Sequence, residues 1–107
     1  MIKRNLLPIL ALYLFGASLA HADSTMTGKE VFESYCVYCH APGYEHPGTR
    51  QLAKRRGDDK AVLAQRDDLT EEYINFIVRH GLMSMPPFAP SDLTDAKLKA
   101  LVNYLVK

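Results

Sequence analysis

This sequence of 107 residues has only two cysteines, nearly equal numbers of basic and acidic residues, and no apolar run long enough to cross a membrane. Lysine and arginine number 13 against 12 aspartates and glutamates, so the chain lacks the strong basic field typical of nucleic-acid binding. The longest apolar run, residues 6–19, is shorter than the roughly 20 residues that a transmembrane helix needs. Internal repeats and low-complexity segments are absent. The sequence therefore predicts one small domain that binds no nucleic acid and keeps no stable membrane anchor.

The only two cysteines lie together, in the stretch Cys36-Val37-Tyr38-Cys39-His40. A zinc site would need further nitrogen or sulfur ligands at matching spacing, and no second cysteine pair follows. A thioredoxin-like dithiol belongs to a βαβ setting, of which the sequence shows no sign. A structural disulfide is a third alternative. The pattern C-x-x-C-H itself is typical of a covalent attachment site for c-type haem.

The spacing of this motif suits the chemistry of haem attachment. Two thiols add to two vinyl groups along one porphyrin edge, and residues three apart share one face of a helix. We predict that Cys36 and Cys39 form the thioethers to one haem c, and that the imidazole of His40 binds the iron. A backbone carbonyl in the loop after His40 is expected to accept the Nδ1 proton. In that loop, His46 is expected to be an exposed histidine and not a ligand.

The N-terminal segment has the three parts of a secretory signal peptide. Two basic residues precede the apolar run, and an A-x-A cleavage pattern ends at Ala22. We therefore expect residues 1–22 to be removed, which would leave residues 23–107 as one haem-binding domain. Haem is joined to c-type apoproteins outside the cytoplasmic membrane, where thiols meet an oxidising compartment. The expected location is the periplasm.

Capping residues and apolar spacing predict an all-α domain of four to five helices around the haem. Thr27 and Glu30 have the form of a capping box, and Thr70 and Thr94 precede two further helices. Glycine ends two of the predicted helices. The predicted helices span residues 27–36, 49–56, 60–65, 70–81 and 94–106. The buried stripe expected on the fourth helix consists of Tyr73, Ile74, Ile77 and Val78.

A segment rich in proline follows the fourth predicted helix. Met85 precedes Pro86 and Pro87, whose fixed φ angles hold the chain extended. A methionine thioether held by a rigid loop can bind haem iron on the face opposite His40. Met85 is the favoured second axial ligand because the adjacent proline restrains its backbone. Met83 is the alternative ligand, and both methionines could instead be packing residues.

These features in this order resemble a class I cytochrome c over nearly all of residues 27–107. The finer pattern is similar to the cytochrome subunit of p-cresol methylhydroxylase-type flavocytochromes. The resemblance implies a small single-haem class I cytochrome c fold with crossing terminal helices, and His40 and Met85 as axial ligands. It also implies a flavoprotein partner that oxidises a phenolic substrate and passes electrons singly to the cytochrome. The stretches that carry it are Tyr73-Ile74, Ile77-Val78-Arg79-His80-Gly81, Met85-Pro86-Pro87-Phe88 and Tyr104-Leu105.

The expected function is one-electron transfer between redox proteins, through a haem whose two axial positions are both filled. The chain offers no acid–base pair or nucleophile, so we expect no catalytic residue. The alternative is a tightly bound cytochrome subunit that accepts electrons from a flavoprotein dehydrogenase. A third hypothesis is a haem enzyme or gas sensor with a displaceable Met85. Val37, Tyr38 and residues 86–89 are candidate contact surfaces for a partner.

Overall fold

A computed structural model describes residues 26–107 of the chain. Within this range the protein is built from five α-helices and two short 3-10 turns, with no β-strand. The all-α fold class predicted from sequence is confirmed. The helices are α1 (Gly28–Tyr35), α2 (Val37–His40), α3 (Pro47–Arg56), α4 (Glu71–His80) and α5 (Asp95–Leu105), and the 3-10 turns are Asp58–Lys60 and Leu63–Gln65.

Helix α1 begins with the predicted capping box. The Thr27 backbone N–H donates to Glu30 Oε2 at 2.6 Å, and the Glu30 N–H donates to Thr27 Oγ1 at 3.2 Å. The reciprocal bonds satisfy two of the donors that a helix start leaves open. The helix ends at Cys36, whose N–H donates to Phe32 O at 2.9 Å, and α2 follows after this one residue. The cysteine motif therefore lies at the end of an amphipathic helix, as predicted.

The segment between the motif and α4 differs from the sequence-based prediction. Helix α3 begins at Pro47, two residues before the predicted start, because the fixed φ of proline suits the first position of a helix. It ends at Gly57, whose φ of 95° favours glycine. The continuous helix predicted over residues 60–65 is wrong. Two 3-10 turns take its place, since Val62 between them adopts an extended conformation with ψ 104°.

Helix α4 begins after Thr70, whose side chain accepts from the Tyr73 N–H at 3.2 Å, and ends at Gly81 with a φ of 73°. Its buried face is narrower than predicted. Ile74 and Val78 are buried and lie one turn apart, whereas Tyr73 is 40% exposed. The prediction that Tyr73 belongs to the buried stripe is therefore wrong, because its position lies well around the helix from the line through Ile74 and Val78.

Helix α5 crosses α1 and completes the core. Thr94 caps it as predicted, with its hydroxyl accepting from the Lys97 N–H at 3.3 Å. The helices approach so closely at Gly28 that a methyl group there would overlap Ala100 O and lie 2.6 Å from Tyr104 Cβ. The Phe32 and Tyr104 rings contact each other beside this crossing, with their centroids 5.8 Å apart. The buried core consists of Val31, Phe32, Leu69, Ile74, Val78, Leu93, Leu98, Leu101, Val102 and Leu105.

The predicted export signal, residues 1–22, lies outside the described residues. Among residues 26–107, no helix is both long and apolar enough to cross a membrane.

Candidate haem-attachment site

The two cysteines occupy one helical turn at the junction of α1 and α2. The Cys36 carbonyl accepts from the N–H groups of Cys39 and His40, at 3.2 and 2.9 Å. The thiols are not joined to each other, and Cys36 is half-buried while Cys39 is exposed. Burial is the main cause that raises the pKa of the Cys36 thiol to about 11, with a smaller effect from Cys39. Both sulfurs are thus available to a group lying beside this turn, and the half-buried one suits a neutral thioether better than a thiolate.

His40 ends α2 with its imidazole largely enclosed. Burial lowers the pKa of this imidazole, so the neutral form that ligates metals is favoured. Its Nδ1 is buried and makes no hydrogen bond to any described residue. The predicted bond from Nδ1 to a loop carbonyl is therefore wrong in this structure. The loop ends earlier than expected, and Pro47 and Gly48 already belong to α3, whose carbonyls face helix partners.

Helix α3 packs its first turn against the His40 ring. A methyl group at Gly48 would lie 2.6 Å from Cε1 of His40 and 2.8 Å from its Nδ1. A side chain at this position would push the ring aside, so the close packing requires glycine. A buried imidazole held on one side by backbone is well suited to present its other nitrogen to a metal.

Two side chains that the sequence analysis did not single out as anchors fix this first turn of α3. Thr49 is 2% exposed, and its hydroxyl donates to Ala41 O at 2.7 Å. The His46 Nδ1 lies 2.9 Å from Tyr38 O, inside the cysteine motif. The expectation that His46 is exposed is wrong, because its side chain is only 26% exposed and lies against α2. A hydroxyl and an imidazole flanking Pro47 were visible in the sequence, but their carbonyl acceptors were not.

The two candidate methionines differ in environment. Met83 is 71% exposed and has a φ of 55°, at the outer corner of a tight turn. Met85 is half-buried and packs against the core cluster. The turn is closed by two backbone bonds, from Met85 N to Leu82 O at 2.9 Å and from Leu82 N to Met85 O at 3.1 Å. Met85 alone of the two is thus directed into the protein.

A close contact with Gly81 restricts the backbone of Met85. A methyl group at Gly81 would lie 2.6 Å from Met85 O and 2.9 Å from Pro87 N. The φ of 73° at Gly81 also lies in the region that side chains disfavour. Glycine therefore allows the chain to fold back from α4 onto residues 82–88, which form the methionine segment.

These residues fit a covalently attached haem by their chemistry. The free thiols of Cys36 and Cys39 share one helical turn, and the neutral imidazole of His40 follows them. The half-buried thioether of Met85 lies on a loop whose backbone is restricted by Gly81. Soft sulfur and imidazole ligands are the ones that haem iron accepts in electron carriers. Among residues 26–107, no three or more histidine, cysteine or acidic side chains are grouped so that they could hold a metal ion.

Comparison with known proteins gives consistent results. The family model described as cytochrome C oxidase, cbb3-type, subunit III matches residues 23–105. The 4-cresol dehydrogenase [hydroxylating] cytochrome c subunit of Pseudomonas putida is 33% identical over 93 residues, which cover 86% of this chain and 70% of that protein.

Two solved structures of p-cresol methylhydroxylase are also similar. The one with substrate bound is 32% identical with a TM-score of 0.52, covering 74% of this chain and 88% of that chain. The one at 2.5 Å resolution has the same identity and TM-score and covers 89% of its chain.

The matches confirm the resemblance, the cytochrome fold and the covalently bound haem c predicted from sequence. They also confirm an electron-transfer role without catalysis by the chain itself. With a family match that spans nearly the whole described domain, and a cytochrome c relative matched along most of its length, this chain belongs to the c-type cytochrome family.

Proposed function

We propose that this chain is the cytochrome subunit of a complex in which a flavoprotein dehydrogenase oxidises a phenolic substrate and passes electrons to haem c. The observation that carries the proposal is the 33% identity, over 86% of this chain, to the cytochrome c subunit of 4-cresol dehydrogenase. The similarity to structures of p-cresol methylhydroxylase supports the same assignment.

Four residues are proposed to hold the haem. Cys36 and Cys39 would form the two thioethers, and His40 and Met85 would be the axial ligands. When bound, haem c supplies an iron that carries one electron by cycling between ferric and ferrous states. The protein holds the imidazole neutral through burial and directs Met85 inward, which supports this ligand set. With both of these ligands bound, no position on the iron would remain open to a substrate.

The proposed surface for electron entry surrounds the cysteine motif. Tyr38, between the two cysteines, is 83% exposed. Pro86 and Pro87, next to the proposed axial methionine, are exposed as well. Residues on both sides of the proposed haem site are therefore accessible to a partner, and a short path to the haem edge favours rapid transfer.

We also propose that the chain is exported to the periplasm and that residues 1–22 are a cleaved signal peptide. The order of basic, apolar and A-x-A segments supports this, as does the chemistry of haem attachment. Mass spectrometry of the protein from a periplasmic fraction tests it. The N-terminal residue is expected to be Asp23, and an intact residue 1 in the haem-bearing protein would contradict cleavage.

Size-exclusion chromatography of a periplasmic extract tests the proposed complex. Haem and flavin absorbance are recorded together along the column. Co-elution well above the roughly 10 kDa of a haem-loaded monomer is expected, since a bound subunit travels with its partner. The control is the same extract from a strain that lacks this chain, in which the flavin peak should move to lower mass.

Elution of haem alone at monomer size, with flavin elsewhere, would contradict the complex and favour a freely diffusing electron carrier. Rapid binding of azide or carbon monoxide to the native protein would favour a haem enzyme or sensor instead, because such ligands need an open axial position.

A further inference from the structure

Arg79, in the last turn of α4, makes three side-chain hydrogen bonds to residues outside its own helix. Its Nη1 donates to Phe88 O at 3.0 Å and to Leu93 O at 2.8 Å. Its Nη2 donates to Asp95 Oδ1 at 2.5 Å. The side chain is only 18% exposed, so these bonds form in a largely desolvated setting. One guanidinium thus joins α4, the methionine segment and the start of α5.

The acceptors of Arg79 lie on the C-terminal side of Met85. Phe88 follows Met85 by three residues, and its N–H donates to Val78 O at 2.8 Å. Phe88 is therefore held through both its N–H and its carbonyl, by two successive residues of α4. Its ring also makes an edge contact with Tyr35, next to the first cysteine, with centroids 6.4 Å apart.

On its N-terminal side, Met85 is held by the backbone turn with Leu82 and by the close approach of Gly81. The two prolines between Met85 and Phe88 restrict the conformations of the backbone that joins them, because the φ angle of proline is fixed. Met85 thus lies between two anchored points. The second anchor consists of two bonds, one from the Phe88 N–H to Val78 O and one from Arg79 to the Phe88 carbonyl. Among the described residues, Arg79 alone supplies a bond to that carbonyl.

We propose that Arg79 is a positioning residue that holds Met85 in place as the axial ligand. The inference rests on the proposed ligand set, in which Met85 binds the iron. The planar guanidinium reaches two carbonyls and a carboxylate at once, which a single ammonium group cannot reproduce. Without it, the methionine segment opens more often and the thioether leaves the iron more often.

Imidazole competition on the haem-loaded protein tests this proposal. Added imidazole binds iron only when Met85 has left, so its apparent affinity follows the population of the open state. Arg79→Met keeps the bulk of the side chain but removes every hydrogen-bond donor. In this variant we expect the open state to be about tenfold more populated, so that imidazole binds about tenfold more tightly. The readout is loss of the long-wavelength absorption band of ferric methionine-ligated haem. Arg79→Lys should restore part of the wild-type affinity.

Asp95→Asn is the matched control. The Asp95 side chain is 88% exposed, and the loss of its charge leaves both carbonyl bonds of Arg79 in place. Its imidazole affinity should stay close to wild type. Far-UV circular dichroism in denaturant gives global stability for each variant. Should Arg79→Met fail to load haem, the comparison of Arg79→Lys with Asp95→Asn carries the test.

Two results would overturn the proposal. One is wild-type imidazole affinity in Arg79→Met, or in Arg79→Lys where the first variant fails, whatever the global stability. The other is an equal gain of affinity in Asp95→Asn. A separate variant tests whether Met85 is the ligand at all. If it is not, the long-wavelength absorption band of the wild type would survive in Met85→Ala.

Discussion

The two methionines of the loop after α4 separate clearly at the level of single residues. Met85 is half-buried against the core and Met83 is 71% exposed. Replacing Met85 by alanine should abolish the absorption band of methionine-ligated ferric haem, lower the reduction potential and let azide bind, because the thioether ligand is lost. Spectroscopic titration with azide and redox titration measure these changes.

Met83→Ala is the control for this substitution. It removes an exposed side chain of the same type, two residues away, and should leave spectrum and potential unchanged. If the band vanished in Met83→Ala and survived in Met85→Ala, the ligand assignment would pass to Met83.

Gly48 is a second position at which the addition of a single methyl group is expected to affect stability. A methyl group there would lie 2.6 Å from His40 Cε1, so Gly48→Ala should shift the ring or the first turn of α3. Overpacking of this kind costs about 1–3 kcal/mol, which exceeds the gain of up to about 1 kcal/mol from better helix propensity. Urea unfolding of the haem-loaded protein measures the difference.

Gln51→Ala is the matched control, because it introduces alanine at an exposed position of the same helix. It should be neutral or slightly stabilising, through propensity alone. Unchanged stability in Gly48→Ala would show that the His40 ring is not confined by α3.

At the scale of elements, the connection between the second 3-10 turn and α4 contains a two-bond ion pair between Arg66 and Asp68. Arg66 is 7% exposed, and its Nε and Nη2 donate to the two carboxylate oxygens of Asp68, each at 2.8 Å. These bonds are the main cause that lowers the pKa of Asp68 from 3.8 to about 2, and they raise the pKa of Arg66. The pair fixes the approach to Thr70, the cap of α4.

The pH dependence of stability follows from the direction of this shift. Because the folded state holds the Asp68 carboxylate ionised more strongly than the unfolded chain does, its contribution is complete above about pH 4 and is lost as the pH falls towards 2. Asp68→Asn should lower the free energy of unfolding at neutral pH and weaken the loss of stability in this acid range. Urea unfolding at neutral pH and at about pH 3 measures both effects.

Asp67→Asn serves as the control, since the Asp67 side chain is 83% exposed and lies 3.6 Å from Lys60 Nζ. A surface pair of this kind contributes little, so the variant should resemble wild type at both pH values. Equal behaviour of the two variants would argue against a special role for Asp68.

Local signals in the sequence were sufficient for some elements and not for others. The starts of α1, α4 and α5 were predicted because Thr27, Thr70 and Thr94 bond within their own first turns. The Met85 segment was recognisable from its prolines. The contacts of Arg79 were not predictable, since its acceptors lie 9 to 16 residues away and meet it only in the folded chain. The same is true of the bond between Thr49 and Ala41.

At the scale of the whole molecule, the crossing of α1 and α5 holds the two ends of the domain together. Gly28→Ala should destabilise the protein by about 1–3 kcal/mol, because the added methyl group would overlap Ala100 O and crowd Tyr104. The sign of this change in stability is informative, because alanine has a higher helix propensity than glycine and would stabilise α1 if the added methyl group had room. Urea unfolding measured by far-UV circular dichroism gives the change.

Lys29→Ala, at a side chain 67% exposed on the same helix, should change stability little. A stabilising effect of Gly28→Ala would mean that the two helices do not approach as closely as the structure has them.

The same crossing also sets an order in time. Tyr35 stands just before the first cysteine, and its hydroxyl accepts from Lys97, which comes 62 residues later. A chain made from its N-terminus therefore presents Cys36 and Cys39 well before α5 exists to cover α1. Until the last helix arrives, the two thiols lie at the end of a helix that has no partner, and the docking of α5 then fixes the position of the turn that carries them.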